Sequence, residues 1–249
     1  MSFLRLILTN LRRHRIRTLI GIAGISFGVA AMLSVMTMLQ GAIRMFERIL
    51  NADSEMIVFE KNVSDLFFSN VPVEEINEIG AWRMVEHADP VLFGIVSTEG
   101  NPVVTCFGVS ASDARLRSAE WLAGSRETFG RIDGEVVVGE RAAAFLKGAY
   151  QEQVAIGKET FTIGGVIRAS NGFEDGGVFM PIAAAQRFFH KDGVASVATV
   201  KLRHKDDRSS FKEAVAARFP GLLALENREF SQSYSQFKIL QTTAWAVGG

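Results

Sequence analysis

The chain has 249 residues, 48% hydrophobic and 22% charged, with 27 basic side chains balancing 27 acidic ones, room for one large soluble domain or two small ones beside a membrane segment. The balance is uneven: Arg5, Arg12, Arg13, Arg15 and Arg17 stand in the first 18 residues without an acid, leaving net −5 on the rest. A basic terminus beside a mildly acidic body suits a membrane surface and, with no soluble recognition fold behind the arginines, argues against nucleic-acid binding. The single cysteine, Cys106, excludes an internal disulfide, and in the strand-like "PVVTCFGV" it reads as a small buried hydrophobe.

At the N-terminus, Phe3, Leu4, Ile7, Leu8 and Leu11 recur at three- and four-residue spacing opposite Thr9, Asn10 and Arg12. Two readings stand: a short helix lying along the cytoplasmic interface, or the start of the helix that follows. From Leu19 to Leu39 run 21 residues with neither charge nor proline, about 31 Å of helix against a hydrocarbon core of roughly 30 Å. That exceeds the apolar core of a cleaved export signal, and helix-like sequence continues beyond it. The arginine bias before the span predicts a cytoplasmic N-terminus and a body on the far side, the periplasm in a Gram-negative cell. Within the span Gly24 and Gly28 form a GxxxG, and Ser26, Ala30 and Ser34 repeat every four positions. Small residues let a second helix approach closely in lipid, so these five are candidate helix-packing positions.

Beyond Gln40 the helix is expected to continue as a stalk through Ile49. "SEMIVFEK" predicts a strand, Glu74 to Met84 a helix opened by Pro72, and "VLFGIVS" and "VVTCFGV" two strands about the "TEGNP" turn. Glu135 to Val138 reads as a strand followed by a helix from Glu140 to about Leu146. "GKETF" is a turn feeding the strand "ETFTIGGVIRAS", and "GGVFMPIAAAQRFF" repeats the strand-to-helix unit with Pro181 near the first helical turn. "VASVATVKLR" alternates as a half-buried strand, before a helix from about Asp207 to Phe219 stopped by Pro220 and Gly221. The body is therefore predicted to be α+β, a mixed α/β domain of short elements. Neither GxGxxG in a βαβ unit nor GxxxxGK[ST] occurs, which argues against a dinucleotide fold and a Walker ATP site.

His14, His87, His190 and His204 are scattered and lack HExxH or CxxC context. Glu74, Glu75 and Glu78 read as an acidic helix start that favours the helix dipole. No catalytic residue, metal ligand or cofactor set emerges. Phe67 and Phe68 in "DLFFSNVP" read either as core or as exposed contacts for a partner or cargo. The glycine-rich "SNGFEDGG", with Phe173, reads as a hairpin or lobe crossover, or as a mobile partner-facing edge. After Lys238 the sequence turns apolar for half a span. Four segments are expected: 1–17, a cytoplasmic basic amphipathic segment; 18–40, the span; 41–235, the extracytoplasmic domain with stalk ends; and 236–249, the start of a second span.

Taken together and in this order, "NLRRHRIRTLIGIAGISFGVAAML", "EVVVGERAA", "FTIGGVI" and "GGVFMPIAAAQRFF" resemble the N-terminal part of the MacB/FtsX-type permeases of ABC transporters. The resemblance implies an outer domain of two small α/β lobes, four spans, and pairing with a second permease copy or a paralogue. It also implies a non-catalytic inner-membrane subunit whose ATPase partner drives motion of the outer domain, to export or extract a hydrophobic, lipid-linked or peptide substrate. A periplasmic adaptor or cargo is among the implied partners. Because the sequence opens directly on its first span, a separate cytosolic ATPase is expected in place of a fused one. The residues alone also accommodate a membrane-tethered binding or sensor module, and a membrane-anchored hydrolase whose polar cluster only folding assembles.

Overall fold

The computed structural model describes residues 13–50, 56–63, 65–98 and 101–226. The expected interfacial segment before Arg13 and the expected second span after residue 235 lie outside them. The chain divides into two units, Met1–Arg44 with Lys238–Gly249, and Met45–Phe237.

A single helix, α1, runs from Arg15 to Leu50. Its stretch Arg15–Met38 contains an 18-residue window of mean hydropathy 2.2 and is long and apolar enough to cross a membrane. Leu19, Ile25, Phe27 and Met38 are largely exposed, so no protein core accounts for their apolarity. Two of the hydroxyls here are internally satisfied: Ser34 Oγ donates to the Ala30 carbonyl and Thr37 Oγ1 to that of Leu33, each at 2.8 Å. Lipid offers no partner of its own, so back-bonding of this kind is what allows them in a span.

The body is built on one sheet. Its strands are β1 (Met56–Glu60), β3 (Val85–Thr98), β4 (Asn101–Val109), β5 (Glu120–Gly124), β6 (Glu135–Gly139), β7 (Gln153–Ile156), β8 (Glu159–Arg168), β9 (Gly177–Pro181), β11 (Val197–Leu202) and β12 (Leu222–Glu226). They lie in the order β12-β1-β11-β3-β4-β9-β6-β8-β5, with β7 paired to β8; β2 (Val71–Pro72) and β10 (Val194–Ala195) form a separate small pair. Helices α2 (Val73–Gly80), α3 (Ala114–Ser118), α4 (Glu140–Leu146), α5 (Gly172–Asp175), α6 (Ile182–Phe188) and α7 (Arg208–Arg218) complete it.

Two lobes share this sheet through β3. Its first half, Val85 to Val91, pairs with β11, and its second half, from Leu92, pairs with β4. The predicted strand beginning at Val91 thus extends back through Pro90, a proline beside the changeover. Ser196 closes the gap left there: its N–H donates to the Val91 carbonyl at 2.9 Å and its Oγ accepts from Phe93 N–H at 3.0 Å.

Alternation along the strands sends neighbours to opposite faces of the sheet. Met56, Val58, Ala198, Val200, Leu222 and Ala224 meet Ile76, Ile79, Phe211 and Val215 of α2 and α7, the core of the first lobe. Val104, Cys106, Val136, Val138, Val178 and Met180 meet Ala142 of α4 and Ala185 of α6, the core of the second. The intervening residues, Ile57, Phe59, Val91, Phe93, Phe107, Val109, Val137, Phe179 and Val197, form a third cluster on the other face that runs through both lobes. Each fully buried residue of this size contributes about 1.5–3 kcal/mol.

Two expectations are corrected. "VASVATVKLR" is not half-buried: β11 lies between β1 and β3, and Val197 to Val200 are buried on both faces. Of the readings of "SNGFEDGG", the hairpin does not hold and a crossover, within the second lobe, does. Strand β6 separates β8 from β9, and the segment crosses over it as the short helix α5. Finally, the first and last strands of the body are hydrogen-bonded neighbours, with Met56 opposite Glu226.

Candidate functional site: an aromatic row beside a buried ionic cluster

On the shared face the strands place three phenylalanines in a row, and two more, Phe67 and Phe173, flank it from a turn and a short helix. Phe93 and Phe107 are cross-strand partners on β3 and β4, their rings 6.0 Å apart. Phe179 of β9 is the parallel partner of Phe107 and stacks on it at 4.9 Å. Phe67 meets Phe93 at 5.8 Å, and Phe173 meets Phe107 edge-on at 5.5 Å. Such ring pairs contribute about 0.5–1.5 kcal/mol each beyond area burial.

Phe67 and Phe68 belong to a short 3-10 turn, Leu66–Phe68, capped by Asp65, whose Oδ1 accepts from Phe67 N–H at 3.1 Å. Lys191 Nζ donates to the Phe67 carbonyl and Asn70 Nδ2 to that of Phe68, both at 2.9 Å. Burial holds the Lys191 ammonium below its ordinary value, opposed by nearby Glu60. The turn is thereby pinned at successive backbone groups. Phe67 is half-buried against the core, while the Phe68 side chain stands 74% exposed.

Phe173 is positioned by α5. Asn171 Oδ1 caps that turn, accepting from Phe173 and Glu174 N–H at 3.2 and 3.0 Å. The end of β6 runs so close beneath it that a Cβ on Gly139 would lie 2.1 Å from the Asp175 carbonyl oxygen, a contact open only to glycine. Next to Phe173 lies a sealed ionic cluster. Arg115 Nη1 donates to both oxygens of Asp113, at 3.2 and 2.9 Å. Arg115 Nε stands 3.4 Å from Glu174 Oε1, and all three side chains are at most 4% exposed. Burial pushes the Glu174 carboxyl up to about 7; Asp113 adds to the shift, while Arg115 and Asn171 oppose it.

A profile of the MacB-like periplasmic core domain family matches residues 18–218, from the second turn of α1 to the end of α7. The chain belongs to this family. Two solved structures share its fold. The periplasmic region of MacB from Actinobacillus actinomycetemcomitans is 15% identical with a TM-score of 0.56, over 74% of this chain and 94% of that one. The extracellular domain of the noncanonic ABC-type transporter YknZ from Gram-positive bacteria is 13% identical with a TM-score of 0.54, over 69% of this chain and 99% of that one. Among curated protein sequences none matches.

The MacB-like domain brings some of the expected contact residues together and leaves others apart. Phe67 and Phe173, 106 positions apart in the chain, lie on one cluster; Phe68 points away from it. On α1, a Cβ on Gly24 or Gly28 would meet nothing within 4 Å, and Ser26, Ala30 and Ser34 lie on the exposed helix surface. Cys106 is fully buried among the strands, and burial pushes its thiol up to about 12. One Ser–Asp–His grouping does form. Ser110 and Ser112 donate to Asp89 Oδ1 at 3.1 and 3.0 Å, and His87 Nε2 lies 3.9 Å from Asp89 Oδ2. These serines reach the carboxylate and not the imidazole, so this grouping does not activate a nucleophile. Among the described residues no group of three His, Cys, Asp or Glu is placed to hold a metal.

The ionic cluster escaped the sequence reading because Asp113, Arg115 and Glu174 have the composition of surface residues. The one local signal was "SNGFEDGG", whose asparagine precedes a short helical turn.

Proposed function

We propose that the chain is the permease-subunit portion of an ABC transporter, coupling ATP hydrolysis by a separate cytosolic ATPase to movement of its extracytoplasmic domain. The observation that carries the reading is the single family match running through both the apolar helix and the body, residues 18–218. The pairing of Met56 with Glu226 supports it: force delivered where the chain enters or leaves the body acts on two adjacent strands. The first of these, β1, is hydrogen-bonded to β11, and β11 to β3, the strand common to both lobes.

On this reading the N-terminus is cytoplasmic, the body is periplasmic and the protein sits in the inner membrane. Gly24, Ser26, Gly28, Ala30 and Ser34 pack against a helix of the same permease or of a second copy or paralogue. Phe68, and Phe67 and Phe173 on the aromatic row, contact an adaptor or a hydrophobic, lipid-linked or peptide cargo. The test is co-purification of the full-length protein with a cytosolic ATPase, followed by transport assays on a variant lacking residues 56–226. Loss of ATP-coupled transport with the ATPase still bound is the expected result. Full transport by the deletion variant would refute the coupling role.

A further inference from the structure

Charge counting isolates a group that the transport reading does not use. Asp113, Arg115, Glu174 and Asp175 are 1%, 4%, 2% and 8% exposed, three carboxyls around one guanidinium. Arg115 is committed to Asp113 through both of its oxygens, and Asp175 Oδ1 accepts from Ala169 N–H at 3.1 Å. Glu174 Oε1 pairs with Arg115 Nε at 3.4 Å without an aligned hydrogen bond, and the Asn171 amide beside them favours the ionised carboxyl only in part. The remaining charges around α5 do not supply a cation. On α4, Arg141 approaches Gly172 from the exposed side, while Glu140 is bonded to Arg168 at the end of β8. Arg168 also binds Glu120 of β5; β9 carries no titratable side chain, and Glu135 of β6 lies beside Gly164. A buried carboxylate whose counter-charge is a guanidinium already bonded to a second carboxylate is costly to keep ionised.

We propose that Asp113, Arg115 and Glu174 form a proton-operated clasp: protonated, Glu174 lets α5 close over Phe107; ionised, it lifts α5 and uncovers the aromatic row. The geometry ties the two events. Glu174 and Phe173 are consecutive on one turn, so solvating the carboxylate moves the ring that covers Phe107. Opening returns Glu174 to water and to an ordinary carboxyl value, whereas closing desolvates it, so closure is linked to proton uptake. One linked proton shifts the open-to-closed ratio by about tenfold per pH unit between the two values, with opening favoured as pH rises. Apolar surface on this face then follows the pH of the compartment, whatever the chain transports.

The test is hydrogen–deuterium exchange on the full chain in lipid nanodiscs between pH 5 and pH 8, corrected for intrinsic exchange chemistry. It reads the amides of Phe173, Glu174, Asp175 and Gly176, which are held by Asn171 and Gly172. Protection is expected to fall with rising pH by up to about tenfold per unit and to level off above pH 7. Glu174→Gln should keep these amides protected at pH 8. Wild-type protection that does not change with pH overturns the clasp, as does a Glu174→Gln profile that follows the wild-type slope. The wild-type profile decides the matter even where the variant fails to fold. The ¹³C shift of the Glu174 carboxyl must titrate over the same interval, and a midpoint in the ordinary glutamate range overturns it equally.

Discussion

Replacing Phe107 by alanine tests whether the aromatic row is core or contact surface. The ring is fully buried and touches three others, Phe93 at 6.0 Å, Phe173 at 5.5 Å and Phe179 at 4.9 Å. Truncation removes all three pairs and leaves a cavity between strands that cannot collapse, which costs about 3–5 kcal/mol. The comparison is Phe68→Ala. That side chain is 74% exposed, and its turn is held by Asp65, Asn70 and Lys191 through backbone groups that the substitution keeps. Its effect on stability should therefore stay within about 0.5 kcal/mol. Urea denaturation followed by tryptophan fluorescence, with unchanged slope, gives both numbers. A cost under about 1 kcal/mol for Phe107→Ala, or above about 2 kcal/mol for Phe68→Ala, refutes the division into core and exposed contact. The proposed contact role adds a second readout: a photoreactive phenylalanine at position 68 should capture a partner in cells, and one at position 107 should not.

Three further outcomes follow from the same structure. Glu174 has a folded value raised from 4.5 to about 7, so the folded state binds the extra proton between those limits. Stability should fall as pH rises through that window, by at most about 3 kcal/mol because opening of α5 relieves part of the cost, and stay flat above it, with Glu174→Gln removing the dependence in denaturation curves. Cys106, fully buried with its thiol pushed up to about 12, should resist maleimide in the native chain and react only after denaturation. Rapid native labelling would contradict that placement. Gly24→Leu with Gly28→Leu should leave the body folded by circular dichroism and lower co-purification of a second tagged copy. Undiminished co-purification would remove these glycines from the proposed helix interface.

Much of the local structure was legible in the residues. The charge-free run from Leu19 to Leu39 predicts a helix of membrane length, and α1 covers it. The helix predicted from Glu140 to about Leu146 spans Glu140–Leu146, and the one predicted from about Asp207 to Phe219 spans Arg208–Arg218, ending before Pro220. Short strands with weak patterns were missed: "EWLAG", "QVAI" and "LLALE" became β5, β7 and β12. Each is an edge or peripheral strand of four or five residues, too short for alternation to register.

What the sequence determined by itself is whatever one segment decides alone: the membrane-length helix, the short helices α4 and α7, and which residues of a strand share a face. Tertiary structure decided the rest, because sheet neighbours are chosen by pairings between distant segments. Only the fold puts β6 between β8 and β9, buries β11 on both sides, and runs β3 through two lobes. Only the fold carries Phe67 and Phe173 to one aromatic row. It also takes Arg115 and Glu174, residues that water would ordinarily claim, into an interior where a proton's position has structural consequences.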